Sequence, residues 1–187
     1  MSPDLFRVAV TSTAGDFEIE VHRDWAPEGA DRFFDLVTEN YYDDSRFFRV
    51  VAGKWAQFGI AGSPKLAAAW RGRPIPDDRP VRSNTRGFVA FANTGPGTRS
   101  TQVFINLGDN AAQNDREAGF APFGFVTSGI DVVAGLYAGY GEMSGGGMRA
   151  GRQDVLFAGG NGYLDDAFPS LDRLITARVV AADSPSE

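Results

Sequence analysis

Two stretches of the chain hold polar side chains able to do chemistry among apolar neighbours. Residues 47–59 read Phe-Phe-Arg-Val-Val-Ala-Gly-Lys-Trp-Ala-Gln-Phe-Gly, with Arg49 and Gln57 lodged in two short apolar runs broken at Ala52 and Gly53. An Arg that keeps its proton and a Gln with donors and an acceptor are costly beside apolar surface unless they hold a partner there. That partner is either internal or a ligand. Residues 87–106 form a second stretch of the same kind, carrying Asn93, Gln102 and Phe104, and read as strand, turn-rich loop, strand. Taken singly, Arg49 reads as a surface salt bridge and Phe104 as plain core. Other routes to catalysis are poorly supplied. The one histidine, His22, falls on the polar face of an early strand, and there is no cysteine. A serine triad or a zinc site would need that isolated ring to serve, and disulfides and thiolate sites are excluded. The carboxylates are scattered on polar faces and unpaired, so no metal site is expected.

The elements that must position these residues follow from periodicity. Residues 5–11 and 17–22 flank a Thr-Ala-Gly-Asp turn, and Phe17, Ile19 and Val21 alternate with Glu18, Glu20 and His22; this is a hairpin with one wet face. After Pro27, apolar residues at Ala30, Phe33, Phe34, Val37 and Tyr41 mark a helix over 27–39. Pro27 suits the first turn, where its missing N–H has no intrahelical partner, and Glu28 and Asp31 complement the dipole. Residues 70–80 read as a loop on their Gly and Pro content, and 109–119 as polar and irregular. A strand resumes over 120–126. Ile130, Val133, Ala134 and Tyr137 make a second short helical stripe. Gly145, Gly146 and Gly147 lack the strand-to-helix context of a phosphate cradle and read as linker. Residues 152–158 suggest a helical turn, 171–181 a closing strand, and 183–187 a frayed tail.

Length and composition bound the class. The 187 residues fit one domain, 1–187. Hydrophobic residues at 43% and charged residues at 22% are ordinary for a globular protein, while 23 Gly and 15 Phe favour a β-rich fold with tight turns around an aromatic core. The formal net charge of −6 disfavours broad binding to nucleic acid or anionic lipid. The one Arg-rich window, 70–86, is diluted by Asp77, Asp78 and prolines and reads as a solvated loop. No apolar run reaches membrane-spanning length, and no basic-then-apolar leader opens the chain. A cytoplasmic monomer is the expectation.

Together, residues 47–59 and 91–105 resemble the two signature segments of the cyclophilin-type peptidyl-prolyl isomerases, in order and at the family's separation. The opening, with its Thr13-Ala14-Gly15-Asp16 turn, also resembles the family's, in which a Thr-x-x-Gly-Asp turn leads into a strand and then an Ala-Pro, here Ala26-Pro27. The resemblance implies a mainly β fold, a closed antiparallel eight-stranded barrel capped by two helices, 27–39 and 130–137. It implies isomerisation of X-Pro bonds in proline-containing polypeptides, assisting protein folding without a cofactor. By the same resemblance Arg49 takes the catalytic guanidinium position, Gln57 the position that holds the Arg or a substrate carbonyl, and Asn93 the position whose backbone holds the residue before proline. Phe104 takes the pocket floor. Trp55, Ala92, Thr94, Gln102 and Phe120 fall on substrate-binding positions. Lys54 and Trp55 stand where many relatives carry Phe and Met, Phe120 where many carry His, and Asp115 and Arg116 near an aromatic and a Leu. The pocket is therefore rebuilt, and a catalytically weak proline-peptide binding module or chaperone on the same barrel is the alternative. A barrel for a small ligand unrelated to proline is the third reading, which the Arg, Gln and Asn set disfavours.

Overall fold

A computed structural model describes residues 1–115, 120–145 and 153–182. The elements run β1 (Leu5–Ser12), β2 (Gly15–His22), α1 (Pro27–Thr38), β3 (Ser45–Arg46), β4 (Arg49–Val51), β5 (Trp55–Phe58) and α2 (Pro64–Arg71). They continue with β6 (Phe88–Phe91), β7 (Val103–Asn106), α3 (Ala111–Asn114), β8 (Pro122–Ser128), α4 (Ile130–Ala134), α5 (Gln153–Ala167) and β9 (Arg173–Ala182). All strand pairings are antiparallel, in the order β3-β9-β1-β2-β8-β6-β7-β5-β4. The two ends of this order, β3 and β4, are separated only by Phe47 and Phe48. One strand, interrupted at that pair, thus hydrogen-bonds β9 with its first half and β5 with its second, and the ring of pairings closes through the backbone. Among the described residues there are thus nine strands where eight were expected, the difference being this one strand broken in two.

The hairpin and closing strand are as the alternation predicts: Phe17, Ile19 and Val21 are buried, and β9 pairs with β1 along its length. Helix α1 buries Ala30, Phe33, Leu36 and Val37 in the core. Phe34 is half-buried and packs edge-on against Phe6. No side chain of its own caps α1. Instead Asp78 reaches in from the loop after α2, accepting hydrogen bonds from the backbone N–H groups of Glu28 (3.0 Å) and Gly29 (2.9 Å). Arg99, wholly buried, holds that carboxylate at 3.0 Å and also donates to the Pro76 carbonyl.

Four sequence expectations need correction. The stretch 70–80 is not all loop, since Trp70 and Arg71 end α2, a helix opened by Ser63 and Pro64 and seated on the core through Ala67 and Trp70. The 70–86 window is not simply solvated either, because Ile75, Asp78 and Asn84 are buried. The helical turn at 152–158 is part of a much longer element, broken at Gly160 (φ 54°, ψ −145°). A Cβ there would lie 2.3 Å from the Gly62 carbonyl oxygen, so only glycine lets this bend approach the chain before α2. Helix α4 ends at Ala134, short of Tyr137. Gly146, Gly147, Arg152, Arg116 and the 183–187 tail lie outside the described residues. Among the described residues no helix is long and apolar enough to cross a membrane, and no group of His, Cys, Asp or Glu could hold a metal ion.

Candidate active site

The two-residue period of the strands puts the site on the barrel's outer face. In β4, β5, β6 and β7 the residues Val50, Ala56, Phe58, Val89, Phe91, Val103 and Ile105 point inward and join the main core. Their neighbours point the other way. Register aligns Arg49 with Gln57, Gln57 with Phe104 and Phe104 with Ala90, so these four form one row across the four strands. A second row begins with Val51 opposite Trp55. From these rows Trp55, Ala90 and Phe104 make a small apolar cluster separate from the core, bordered by Val51, Ala92 and Phe120. Phe120 meets Phe104 edge-on, with ring centroids 5.4 Å apart.

Beside this cluster runs a chain of polar side chains. Arg49 Nη1 donates to Gln57 Oε1 at 2.8 Å, Gln57 Nε2 to Gln102 Oε1 at 2.9 Å, and Gln102 Nε2 to Gln153 Oε1 at 2.9 Å. Because an Arg only donates, the amide orientations are forced outward from it: Gln57 must turn its oxygen to Arg49, hence its nitrogen to Gln102. Gln57 is 2% exposed, so this pairing also meets the demand of a buried amide. The Arg49 guanidinium lies over the Trp55 indole at 4.7 Å from the ring centre. Its outer edge is taken by Glu142, whose two carboxylate oxygens accept from Nε (2.7 Å) and Nη2 (2.8 Å).

The polar chain borders an open recess lined by Gln57, Ala92, Asn93, Thr94, Thr98, Ser100, Gln102 and Gln153. Its outer wall is a turn held from within: the Thr98 hydroxyl accepts from the Thr94 N–H and donates to the Gly95 carbonyl, and Asp77 accepts from the Gly97 N–H. All nine residues singled out from the sequence therefore lie together, Arg49, Trp55, Phe104 and Phe120 around the apolar cluster and Gln57, Ala92, Asn93, Thr94 and Gln102 around the recess. Asp115 behaves differently. Its carboxylate accepts from the Asn84 backbone N–H (3.0 Å) and side-chain amide (2.9 Å). Burial pushes its pKa up, but these bonds outweigh that and hold it below the ordinary carboxylate value. Two residues escaped the sequence reading, Glu142 and Gln153. Glu142 comes from a segment after β8 with no periodic signal and Gln153 from the start of the helical turn read at 152–158, and only tertiary structure brings them to Arg49 and Gln102.

An antiparallel barrel with a small apolar cluster beside an oriented Arg on its outer face is a cyclophilin-like arrangement. The family model described as "Cyclophilin type peptidyl-prolyl cis-trans isomerase/CLD" matches residues 5–147, and the chain belongs to that family of isomerases. A peptidyl-prolyl cis-trans isomerase of Acinetobacter baylyi is 35% identical over 133 residues, covering 67% of this chain and 69% of that protein. Peptidyl-prolyl cis-trans isomerase-like 3 of Dictyostelium discoideum is 29% identical over 130 residues, covering 67% of this chain and 78% of its own. Among solved structures, a Cryptosporidium parvum cyclophilin-type isomerase superposes with a TM-score of 0.69 at 16% identity, covering 96% of this chain and 99% of that one. The same protein crystallised in the presence of the dipeptide Ala-Pro gives a TM-score of 0.67, covering 94% and 99%. At that identity the likeness concerns the fold.

Proposed function

We propose that this isomerase turns X-Pro bonds in the groove between Arg49 and Phe104, with the proline ring on the Trp55, Phe104 and Phe120 cluster and the preceding chain along Asn93. The observation that carries this reading is the single row Arg49–Gln57–Phe104, which sets a fixed donor beside an apolar surface. Rotation about the bond is resisted by amide resonance, with a barrier of roughly 18–20 kcal/mol. Resonance is lost as the prolyl nitrogen pyramidalises, and a donor aimed at its new lone pair stabilises the twisted state. Arg49 suits this role because it never gives up its proton, and its donors are preset by Gln57 and the Trp55 face. A millionfold acceleration would require about 8 kcal/mol, more than one hydrogen bond supplies. Backbone contacts at Asn93 and desolvation on the apolar cluster make up the rest. The polypeptide substrate contacts Ala92, Thr94 and Gln102 on the recess side, and Gln57 serves to orient Arg49. No nucleophile, metal or cofactor takes part in these steps.

The test is exchange NMR on a short X-Pro peptide with the parent, Arg49→Ala and Arg49→Lys proteins, each checked for folding by thermal melting. Arg49→Ala should lower kcat and kcat/KM together by about 10²-fold or more, and Arg49→Lys should recover little, since a point ammonium cannot reproduce the fork. A folded Arg49→Ala protein that isomerises at the parent's rate overturns the assignment.

A further inference from the structure

The bidentate contact between Glu142 and Arg49 lies outside the residues just given roles, and it points to one. We infer that Glu142 is a positioning residue for the catalytic guanidinium: it fixes the plane of Arg49 so that its remaining donors face the groove. The inference rests on the assignment of Arg49 as the catalytic group.

A guanidinium has five N–H donors in a rigid fork. Nε and one hydrogen of Nη2 are held by Glu142, and one hydrogen of Nη1 by Gln57. One hydrogen on each terminal nitrogen is left beyond these two partners. With Gln57 on one nitrogen, Glu142 on the opposite edge and Trp55 beneath the ring, rotation about the last side-chain bonds is restrained from three sides. Gln57 and Trp55 without Glu142 would leave the Nε edge free to swing.

The carrier of Glu142 is seated for this purpose. Two residues on, the buried Ser144 hydroxyl donates to the Phe48 carbonyl at 2.7 Å, directly before Arg49 in the chain. At Gly145 a Cβ would lie 2.8 Å from Arg49 Cβ and 3.1 Å from Phe48 Cδ2, so the segment can only lie this close to the Arg49 strand without a side chain there. The other end of the segment is also fixed, by the Tyr140 ring packed edge-on against Phe168. A stabilising role for the ion pair is a poor explanation of this arrangement. The Glu142 side chain is 52% exposed and Arg49 18%, and pairs so open to water add little to stability. The fork geometry contributes orientation instead.

The experiment compares Glu142→Ala, Glu142→Gln, Arg49→Ala and the Arg49→Ala/Glu142→Ala double variant by exchange NMR on one X-Pro peptide, with melting curves for each. Glu142→Ala should lower kcat between about threefold and about thirtyfold with KM nearly unchanged, because geometry is lost and not peptide binding. Glu142→Gln, which keeps the shape and one acceptor, should fall between parent and alanine. In the Arg49→Ala background, removing Glu142 should have no further effect on rate. The Arg49 Nε–H signal in a nitrogen–proton spectrum should lose its protection from water exchange in Glu142→Ala. If Arg49→Ala is impaired while Glu142→Ala keeps the parent's kcat, the inference fails alone. A rise in kcat/KM on removing Glu142 would also overturn it, showing a carboxylate that competes with substrate. A fully active Arg49→Ala protein removes the assignment beneath it and the inference with it.

Discussion

The rings of Phe104 and Phe33 illustrate two kinds of burial with different consequences. Phe33 belongs to the main core, packed on Tyr42 and Phe123. Phe104, though only 6% exposed, belongs to the outer cluster with Trp55 and Ala90. Truncating a core ring costs about 3–5 kcal/mol. Phe104→Ala should sit at or below the low end of that range, since its pocket opens to solvent and can collapse onto Phe120. Its larger effect should be on peptide binding, a rise in KM with kcat less affected, because the apolar contact is present in both ground and twisted states. Melting curves and exchange NMR on the same protein separate the two; a loss of kcat with unchanged KM would place Phe104 elsewhere in the mechanism. Legibility in the sequence follows the same division. Arg49, Gln57 and Phe104 could be read because neighbouring strands bring short motifs into register. Glu142 and Gln153 could not, because they reach Arg49 and Gln102 from 93 and 51 residues away.

Elements with strict periods, the β1–β2 hairpin, α1 and β9, were the ones open to reading from the chain. Helix α2 was hidden by its short length and by the Pro and Gly that follow it, although Ser63-Pro64 and the Ala67–Trp70 spacing mark its start and buried face. Helix α5 was hidden by Gly159, Gly160 and Gly162, which depress helix propensity. Tertiary bonds hold it in place of propensity. Arg46, almost wholly buried, forks onto Asp165 at 2.8–3.0 Å, and Arg71 pairs with Asp154 and stacks on Phe157. The cap on α1 is likewise supplied from afar. Asp78→Ala should remove both acceptors from the first turn and take from the buried Arg99 its 3.0 Å carboxylate partner, a loss of about 3–5 kcal/mol. In a chain of this length that is a fall in Tm of roughly 6–20 °C. A change of only a degree or two would mean that Asp77, 3.5 Å from Arg99 Nε, takes over the ion pair.

The molecule as a whole should be acid-labile, through carboxylates tied into the barrel. Asp31 on α1 accepts from the Ser2 N–H (2.7 Å) and hydroxyl (2.8 Å) and forks onto Arg23 (2.9 and 3.1 Å), so it joins the N-terminus, the helix and the end of the first hairpin. Burial raises its pKa, but the Arg23 and Ser2 bonds outweigh that and bring it to about 2, from an ordinary 3.8. Glu20 and Asp115 shift in the same direction, burial opposed and outweighed by Arg7 and His22 in one case and by Asn84 and Ser83 in the other. The sign follows from linkage. A carboxylate more acidic in the folded state than in the unfolded contributes stability that is full above the unfolded pKa and is lost as pH falls through the folded one. For Asp31 that window runs from about pH 4 down to about pH 2. With its side chain 29% exposed, solvent screening reduces the contribution to about 1–2 kcal/mol. Asp31→Asn should therefore melt below the parent at pH 7 by several degrees, and the gap should close as both are brought toward pH 2, where the parent's carboxyl is protonated and resembles the amide. Urea titrations at pH 7, 4, 3 and 2 measure the gap directly. A difference that persists unchanged to pH 2 would mean that shape and hydrogen bonding, not charge, tie the N-terminus to the barrel.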